Sequence, residues 1–109
     1  DVLVVTDDNP RSEPPESIRA AVVAGAVAAR NEAPAGSRAA ACEVVDGGDR
    51  RSAIREALSR AGAGDVVAVL GKGHEQGQDI GGNVTPFNDA EVVLEEWAAL
   101  MSSRGEPWT

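Results

Sequence analysis

Aromatic side chains are scarce in this chain of 109 residues: they make up 3% of it, and tyrosine is absent. Apolar residues still reach 42%, the usual share of a globular domain, which argues against disorder. A core with so few aromatic rings must be built from Val, Leu, Ile and Ala. The many alanines favour thin helices that pack closely on a sheet.

Cysteine occurs once, as Cys42, so no disulfide can form within the chain. Because Cys42 lies in an apolar run, we expect a small buried residue, which is consistent with a cytosolic setting. No apolar run approaches the roughly 20 residues that a membrane-spanning helix needs. The chain begins on a predicted strand without the basic start of a signal peptide, and we expect it to be a piece of a longer protein.

Basic residues are few, 10 against 18 acidic ones, which gives a net charge of −8. An acidic surface does not attract nucleic acid or an anionic membrane, so both classes of partner are disfavoured. Histidine also occurs once, as His74, without other ligand residues clustered beside it. A metal site is therefore disfavoured, and a structural role or a hydrogen bond to a neighbouring domain is favoured.

Hydrophobic periodicity predicts strands that alternate with helices. Uninterrupted apolar runs predict buried strands near residues 2–6, 40–45 and 65–70. Helical spacing predicts helices near 15–30, 49–61 and 89–102, with Asp49 and Asn88 as N-caps. Gly81-Gly82 predicts a hairpin within 77–86, and residues 102–109, with Trp108, read as a tail. The order predicts a single α/β domain over 1–109 with a mainly parallel sheet and right-handed crossovers.

Polar loops follow the three predicted strands. In a parallel sheet these loops emerge at one edge, where ligands bind in open α/β folds. They are Asp7-Asp8-Asn9-Pro10-Arg11, Asp46-Gly47-Gly48-Asp49-Arg50 and Gly71-Lys72-Gly73-His74-Glu75.

The first loop has two interpretations. By residue type alone it is a turn and a helix cap, with Arg11 in solvent. Alternatively it binds a zwitterion: Arg11 holds a carboxylate through two parallel hydrogen bonds, while Asp8 and Asn9 accept from an ammonium group. Pro10 stiffens the loop in either case, because it holds its own φ and restricts Asn9.

The third loop is not a Walker A motif, and no helix follows it closely enough to hold a phosphate at its N-terminus. Its glycines allow backbone to approach a ligand closely. Glu75 is either a solvated acid or an acceptor for an ammonium group, and spacing alone does not decide between them.

The remaining charged residues have simple interpretations. The second loop is a turn and a cap, and we expect Arg50 and Arg51 to lie in solvent. Glu95 and Glu96 are expected to form an exposed helix face.

Several short motifs together resemble the C-terminal domain of the MurE family of Mur ligases, over almost the whole chain. They are Thr-Asp-Asp-Asn-Pro-Arg at 6–11, Asp49-Arg50 with Ala53-Ile54, Gly-Asp-Val-Val at 64–67, Gly-Lys-Gly-His-Glu at 71–75 and Pro-Phe-Asn-Asp at 86–89. The pair formed by Asp-Asn-Pro-Arg and Gly-Lys-Gly-His-Glu is much more specific than either motif alone.

The resemblance implies a Rossmann-like three-layer α/β domain, belonging to cytoplasmic bacterial ligases that have three domains and act in peptidoglycan synthesis. In that family ATP and Mg²⁺ activate the glutamate carboxylate of UDP-N-acetylmuramoyl-L-alanyl-D-glutamate as an acyl phosphate. The amine of the incoming amino acid, meso-diaminopimelate, then attacks. The C-terminal domain is implied to bind that amino acid and to close over the ATP domain.

By position, the resemblance implies that Arg11 holds the distal carboxylate of diaminopimelate, with Asp8 and Asn9 nearby. Gly71 and Glu75 are implied to complete the pocket. The chain contains no match to the family's P-loop, its metal ligands or a further arginine for the amino acid. We therefore expect no catalytic residue here, and neither ATP nor Mg²⁺ bound by the chain alone.

Two other classes remain open: a stand-alone module that binds a small regulatory ligand, and another ligase of the superfamily, such as a folylpolyglutamate synthetase. The Asp-Asn-Pro-Arg loop favours the MurE branch over the second. The start on a strand favours a truncated ligase over the first.

We expect the chain alone neither to hydrolyse ATP nor to form amide bonds, because no phosphate cradle with metal ligands is encoded in it. Phosphate release measured at high protein concentration checks this. Turnover that survives repurification would contradict it.

Overall fold

Three helices and two short sheets make up the described residues, 1–72 and 75–105, of a computed structural model of the chain. The elements are β1 (Val2–Val5), α1 (Pro15–Glu32), β2 (Glu43–Asp46), α2 (Arg50–Arg60), β3 (Gly77–Ile80), β4 (Asn83–Pro86) and α3 (Asp89–Arg104). β1 and β2 pair in parallel, with Val2 opposite Glu43 and Val5 opposite Asp46. β3 and β4 form an antiparallel hairpin. The predicted α/β class, parallel pairing and hairpin are confirmed.

The third predicted strand, residues 65–70, forms no regular element and pairs with no strand in the described part of the chain. Val67 and Val69 pack on the core, whereas Val66 and Leu70 are 90% and 78% exposed. The prediction of a third sheet strand is therefore wrong. An apolar run is typical of a strand that is covered on both faces, but here α2 and α3 cover only one face.

The other element boundaries differ from prediction by a few residues. β2 begins at Glu43 rather than near residue 40, because Ser37 holds the preceding residues in turns. Its hydroxyl accepts from the Ala40 N–H at 3.2 Å, and its carbonyl accepts from the Ala41 N–H at 3.3 Å. Cys42, just before the strand, is half-buried rather than buried.

Both predicted helix caps are confirmed. The Asp49 side chain accepts from the Ser52 N–H at 3.1 Å at the start of α2. Hydrogen bonding by Ser52, through its side chain first and its backbone N–H to a lesser extent, lowers the pKa of Asp49. At the start of α3, the Asn88 side chain accepts from the Glu91 N–H at 3.0 Å.

The core lies where α2, α3 and residues 65–70 meet. Its centre is aliphatic, formed by Ile54, Leu58 and Val92, while Phe87 and Trp97 pack on its margin. No described residue of α1 is fully buried. None of the described helices is long and apolar enough to cross a membrane.

The first helix is attached to the sheet by charge. Arg19 of α1 donates to Asp7, just after β1, at 2.7 Å and to Asp46, at the end of β2, at 2.9 Å. The Asp7 side chain is 5% exposed. The hydrogen bond to Asp7 raises the pKa of Arg19. The Arg19 guanidinium therefore joins the carboxyl ends of the two parallel strands.

A second ionic cluster joins α2 to α3. Glu96 is buried, and its carboxylate accepts from Arg55 at 2.6 Å and from Arg51 at 2.8 Å. Arg51 also pairs with the exposed Glu95 at 2.8 Å. The prediction that Glu96 lies on an exposed face is wrong, because packing of α3 on α2 buries it against Arg51 and Arg55. The Arg51 side chain is 42% exposed, but it is held in these ion pairs.

We expect Glu96→Gln to lower the free energy of unfolding by about 1–3 kcal/mol at neutral pH, because two charge-assisted hydrogen bonds are weakened. The arginines, Arg55 foremost, hold the pKa of Glu96 below its usual value. The stabilisation is therefore complete above about pH 5 and is lost as the pH falls through the lowered pKa.

Urea unfolding at a series of pH values measures this effect. The difference between wild type and Glu96→Gln should shrink in acid, whereas Glu95→Gln, at a side chain that is 61% exposed, should have little effect throughout. A difference for Glu96→Gln that stays constant down to about pH 3 would count against the assignment.

Candidate functional site

Arg50 joins the loop after β1 to the end of residues 65–70 at one edge of the fold. Its guanidinium donates to the Asp7 carbonyl and to the Leu70 carbonyl, each at 3.1 Å. The same group forms a two-point pair with Asp89, at 2.8 and 2.6 Å, which raises the pKa of Arg50. Arg50 is 3% exposed, so the prediction that it lies in solvent is wrong. The Arg50 side chain holds the loop after β1 beside the loop after residues 65–70.

Lys72 lies buried where these two loops meet. Its ammonium nitrogen Nζ donates to the Gly77 carbonyl at 2.7 Å and lies 3.2 Å from Asp8 Oδ1. It is 3.4 Å from Asn9 Oδ1 and 3.9 Å from Glu75 Oε2. The side chain has no exposed surface, whereas those of Asp8 and Glu75 are 49% and 52% exposed. Two half-exposed carboxylates therefore flank one buried ammonium group.

The Asn9 side chain connects this cluster to the hairpin. Its Oδ1 accepts from the Asp79 N–H of β3 at 2.9 Å, and its Nδ2 donates to Glu75 Oε2 at 3.1 Å. Both groups facing Oδ1, an N–H and an ammonium, can only donate, so the amide nitrogen must face the Glu75 carboxylate. The orientation of Asn9 is thus determined by its surroundings.

Gly71 lies against Asp8 and needs to be glycine for its backbone angle. Its φ is 107°, a value that residues with a Cβ rarely adopt. A Cβ placed there would lie 3.7 Å from Asp8 Oδ2, an ordinary contact. The backbone of Asp8 is held from the other side, where Gln78 donates to its carbonyl at 2.9 Å.

Arg11 is positioned by the hairpin. Its N–H donates to the Asp79 carbonyl at 3.0 Å, and its own carbonyl accepts from the Gly81 N–H in the hairpin turn. Its φ is 55°, the left-handed region that few residues other than glycine adopt. The side chain is exposed, and within residues 1–72 and 75–105 no group forms a hydrogen bond or ion pair with it. Such backbone strain around an unpaired charge is common at binding sites.

Four of the five predicted site residues thus lie around Lys72: Asp8, Asn9, Gly71 and Glu75. Arg11 joins them through Asp79, whose N–H binds Asn9 and whose carbonyl binds Arg11. The predictions for Gly73, His74 and Trp108 fall outside the described residues.

Sequence reasoning left the role of Lys72 open and missed Gln78 and Arg50. A lone lysine between glycines in an acidic chain is a signal that could have drawn attention to Lys72. The second loop contributes the Asp49 cap and Arg50 rather than ligand contacts, because its Asp46 is paired with Arg19. Among the described residues, no group of three or more His, Cys, Asp or Glu side chains is arranged to hold a metal ion.

A family model described as "Mur ligase, glutamate ligase domain" matches residues 1–73. The chain belongs to this family. The match includes the first loop, Gly71 and Lys72, and it confirms the resemblance and the Rossmann-like α/β class of the Mur ligase C-terminal domain.

Relatives extend the similarity beyond the family match. The chain is 48% identical over 102 residues to the UDP-N-acetylmuramoyl-L-alanyl-D-glutamate–2,6-diaminopimelate ligase of Mesorhizobium japonicum, covering 91% of the chain and 18% of that protein. It is 50% identical over 95 residues to the ligase of the same name from Streptomyces coelicolor, covering 87% of the chain and 17% of that protein. The chain therefore spans less than a fifth of the length of these relatives.

We expect Gly71→Ala to lower the free energy of unfolding by about 1–3 kcal/mol, because alanine is strained at this φ even where there is room for its methyl group. The effect should come from the backbone rather than from bulk, and Gly71→Val should add bulk to the same strain.

Gly25→Ala is the matched control. Gly25 lies inside α1 with nothing within 4 Å of the added Cβ, so alanine there should be neutral or stabilise by up to about 1 kcal/mol. Equal effects of the two substitutions in urea unfolding would argue against strain at Gly71.

Proposed function

We propose that residues 1–109 form most of a single amino-acid-binding domain of an ATP-dependent amide ligase in the bacterial cytoplasm. The proposed reaction adds meso-diaminopimelate to UDP-N-acetylmuramoyl-L-alanyl-D-glutamate in peptidoglycan synthesis. One observation carries the proposal: the guanidinium of Arg11, which no described residue pairs with, and a cluster of half-exposed acceptor oxygens are attached to the same strand. Relatives named as diaminopimelate ligases support this substrate over a stand-alone regulatory ligand.

The chemistry of the ligand fits these two groups. The distal end of diaminopimelate carries an ammonium and a carboxylate on one carbon. Asp8 and Glu75 supply oxygens for the ammonium, and Arg11 supplies a planar pair of N–H groups for the carboxylate. Asp8 and Glu75 keep about half of their side chains exposed beside their contacts with Lys72 and Asn9, and the Arg11 side chain is exposed, so all three can meet a ligand.

ATP, Mg²⁺ and the UDP-sugar dipeptide are assigned to the rest of the parent protein. The described residues offer no fitting set of metal ligands, so no step involving Mg²⁺ is assigned to them. The role proposed for this domain is to bind the amino acid and orient it for attack by its amine.

Arg11 is proposed to select the amino acid. Lysine has a similar chain but lacks the distal carboxylate, so it would place an ammonium group near the guanidinium. Attraction to one substrate and repulsion of the other together amount to about 2–5 kcal/mol, on the order of a hundredfold or more in selectivity.

In the full-length parent enzyme, Arg11→Ala should raise the KM for diaminopimelate strongly and the KM for ATP little. Arg11→Lys should rescue only in part, since a point charge cannot form the two parallel hydrogen bonds. Arg11→Asn removes the guanidinium while tolerating the positive φ, and it should behave like Arg11→Ala.

Steady-state kinetics with diaminopimelate and with lysine measures the preference. Arg38→Ala is the control for charge, because Arg38 pairs with Asp1 near the opposite end of β1 and its side chain is 86% exposed. If Arg11→Ala leaves the preference for diaminopimelate unchanged, Arg11 is not the selector.

A further inference from the structure

We propose that Lys72 is a positioning residue of this site: its buried ammonium group holds Asp8, Asn9 and Glu75 in the arrangement that receives the ligand's ammonium. The inference rests on the proposed function and deepens it. It concerns a residue that contacts the binding groups from behind and does not itself contact the ligand.

The geometry leaves Lys72 no capacity to bind a ligand. An ammonium group has three N–H donors. The Gly77 carbonyl at 2.7 Å takes one, and Asp8 Oδ1 at 3.2 Å and Asn9 Oδ1 at 3.4 Å lie in reach of the others. With a side chain that has no exposed surface, Lys72 can act on a ligand only through its neighbours.

The charge of Lys72 allows two carboxylates to share the site. Asp8 and Glu75 are both within 4 Å of its ammonium nitrogen, and both expose about half of their side chains. Without the ammonium, two like charges would face each other across the pocket and move apart. With it, they stay close enough for one incoming ammonium group to contact both.

Lys72 also controls Asn9 and, through it, Glu75. The ammonium and the Asp79 N–H both face Asn9 Oδ1, which turns Nδ2 toward Glu75 Oε2. Within the described residues, the side-chain hydrogen bond and ion pair of Glu75 both involve Oε2. Oε1 is thereby left for the ligand.

Lys72 and Arg11 are both hydrogen-bonded to carbonyl groups of β3. Gly77 begins β3, and Asp79, two residues on, accepts from the Arg11 N–H. β3 therefore sets the distance between the acceptors for the ammonium and the guanidinium for the carboxylate. A lysine that holds the acceptors against β3 contributes to recognition of both groups at once.

The test uses the full-length parent enzyme with Lys72→Met, which keeps an unbranched side chain one atom shorter than lysine and removes its charge. We expect the KM for diaminopimelate to rise about tenfold or more, because misplaced binding groups cost that much. The KM for ATP should stay within about twofold of wild type, which a general loss of structure would not allow.

Lys72→Gln keeps a donor for the Gly77 carbonyl but lacks the charge, and it guards against a folding failure of Lys72→Met. It should also raise the KM for diaminopimelate while the thermal unfolding midpoint stays near that of wild type. A KM for diaminopimelate equal to wild type in folded Lys72→Gln would overturn the role of the charge.

A double-mutant cycle with Glu75→Gln tests whether Lys72 affects diaminopimelate binding through Glu75. If Lys72 acts through Glu75, Lys72→Met should raise the KM much less in the Glu75→Gln background than in wild type. Fully multiplicative effects would overturn the claim that Lys72 acts through Glu75. If the wild-type parent enzyme does not ligate diaminopimelate, the proposed function fails. If Arg11→Ala raises the KM for diaminopimelate but the Lys72 variants do not, only the positioning role of Lys72 fails.

Discussion

The site depends on one buried guanidinium, that of Arg50. The loop after β1 and the loop after residues 65–70 begin at carbonyl groups that no sheet hydrogen bond brings together, and Arg50 contacts both. Its bidentate pair with Asp89 fixes the start of α3 to the same point. A buried arginine is stable only when its donors are satisfied, so each of these partners constrains the other two. The candidate site residues lie on the two loops that this constraint holds side by side.

Two kinds of interaction hold this fold together, and they lie in different regions. The described aliphatic cluster of Ile54, Leu58 and Val92 lies between α2, α3 and residues 65–70, and Val5 of β1 is buried as well. At the carboxyl ends of the strands, arginine and lysine side chains take over: Arg19 joins β1 to β2, Arg50 joins the loops, and Lys72 fills the space below the exposed acids. Polar side chains held by such contacts lose little freedom when a ligand arrives, which favours recognition of a small charged molecule.

Local patterns predicted what depends on local chemistry. The hairpin follows from its glycine pair, and the caps at Asp49 and Asn88 follow from side chains that satisfy nearby N–H groups. The meeting of Asp8 and Asn9 with Glu75 was also predicted, from strand order, although residues 65–70 do not join the sheet. Burial of Arg50, Lys72 and Glu96 was not predictable in this way. Their partners lie up to 64 residues away in sequence, as Asp8 does from Lys72, and periodicity carries no information about such pairs.

The hairpin turn has a consequence for engineering the protein. Exposed turns rich in glycine are ordinarily the places where a domain tolerates inserted residues or a fluorescent label. Here the Gly81 N–H holds the Arg11 carbonyl, and β3 pairs with Arg11 through Asp79. Residues added at Gly81-Gly82 would loosen the loop that carries Arg11, because the Gly81 N–H donates to the Arg11 carbonyl. The bend at Ala63-Gly64, between α2 and residues 65–70, is exposed and takes no part in the site, so it is the better position for a tag.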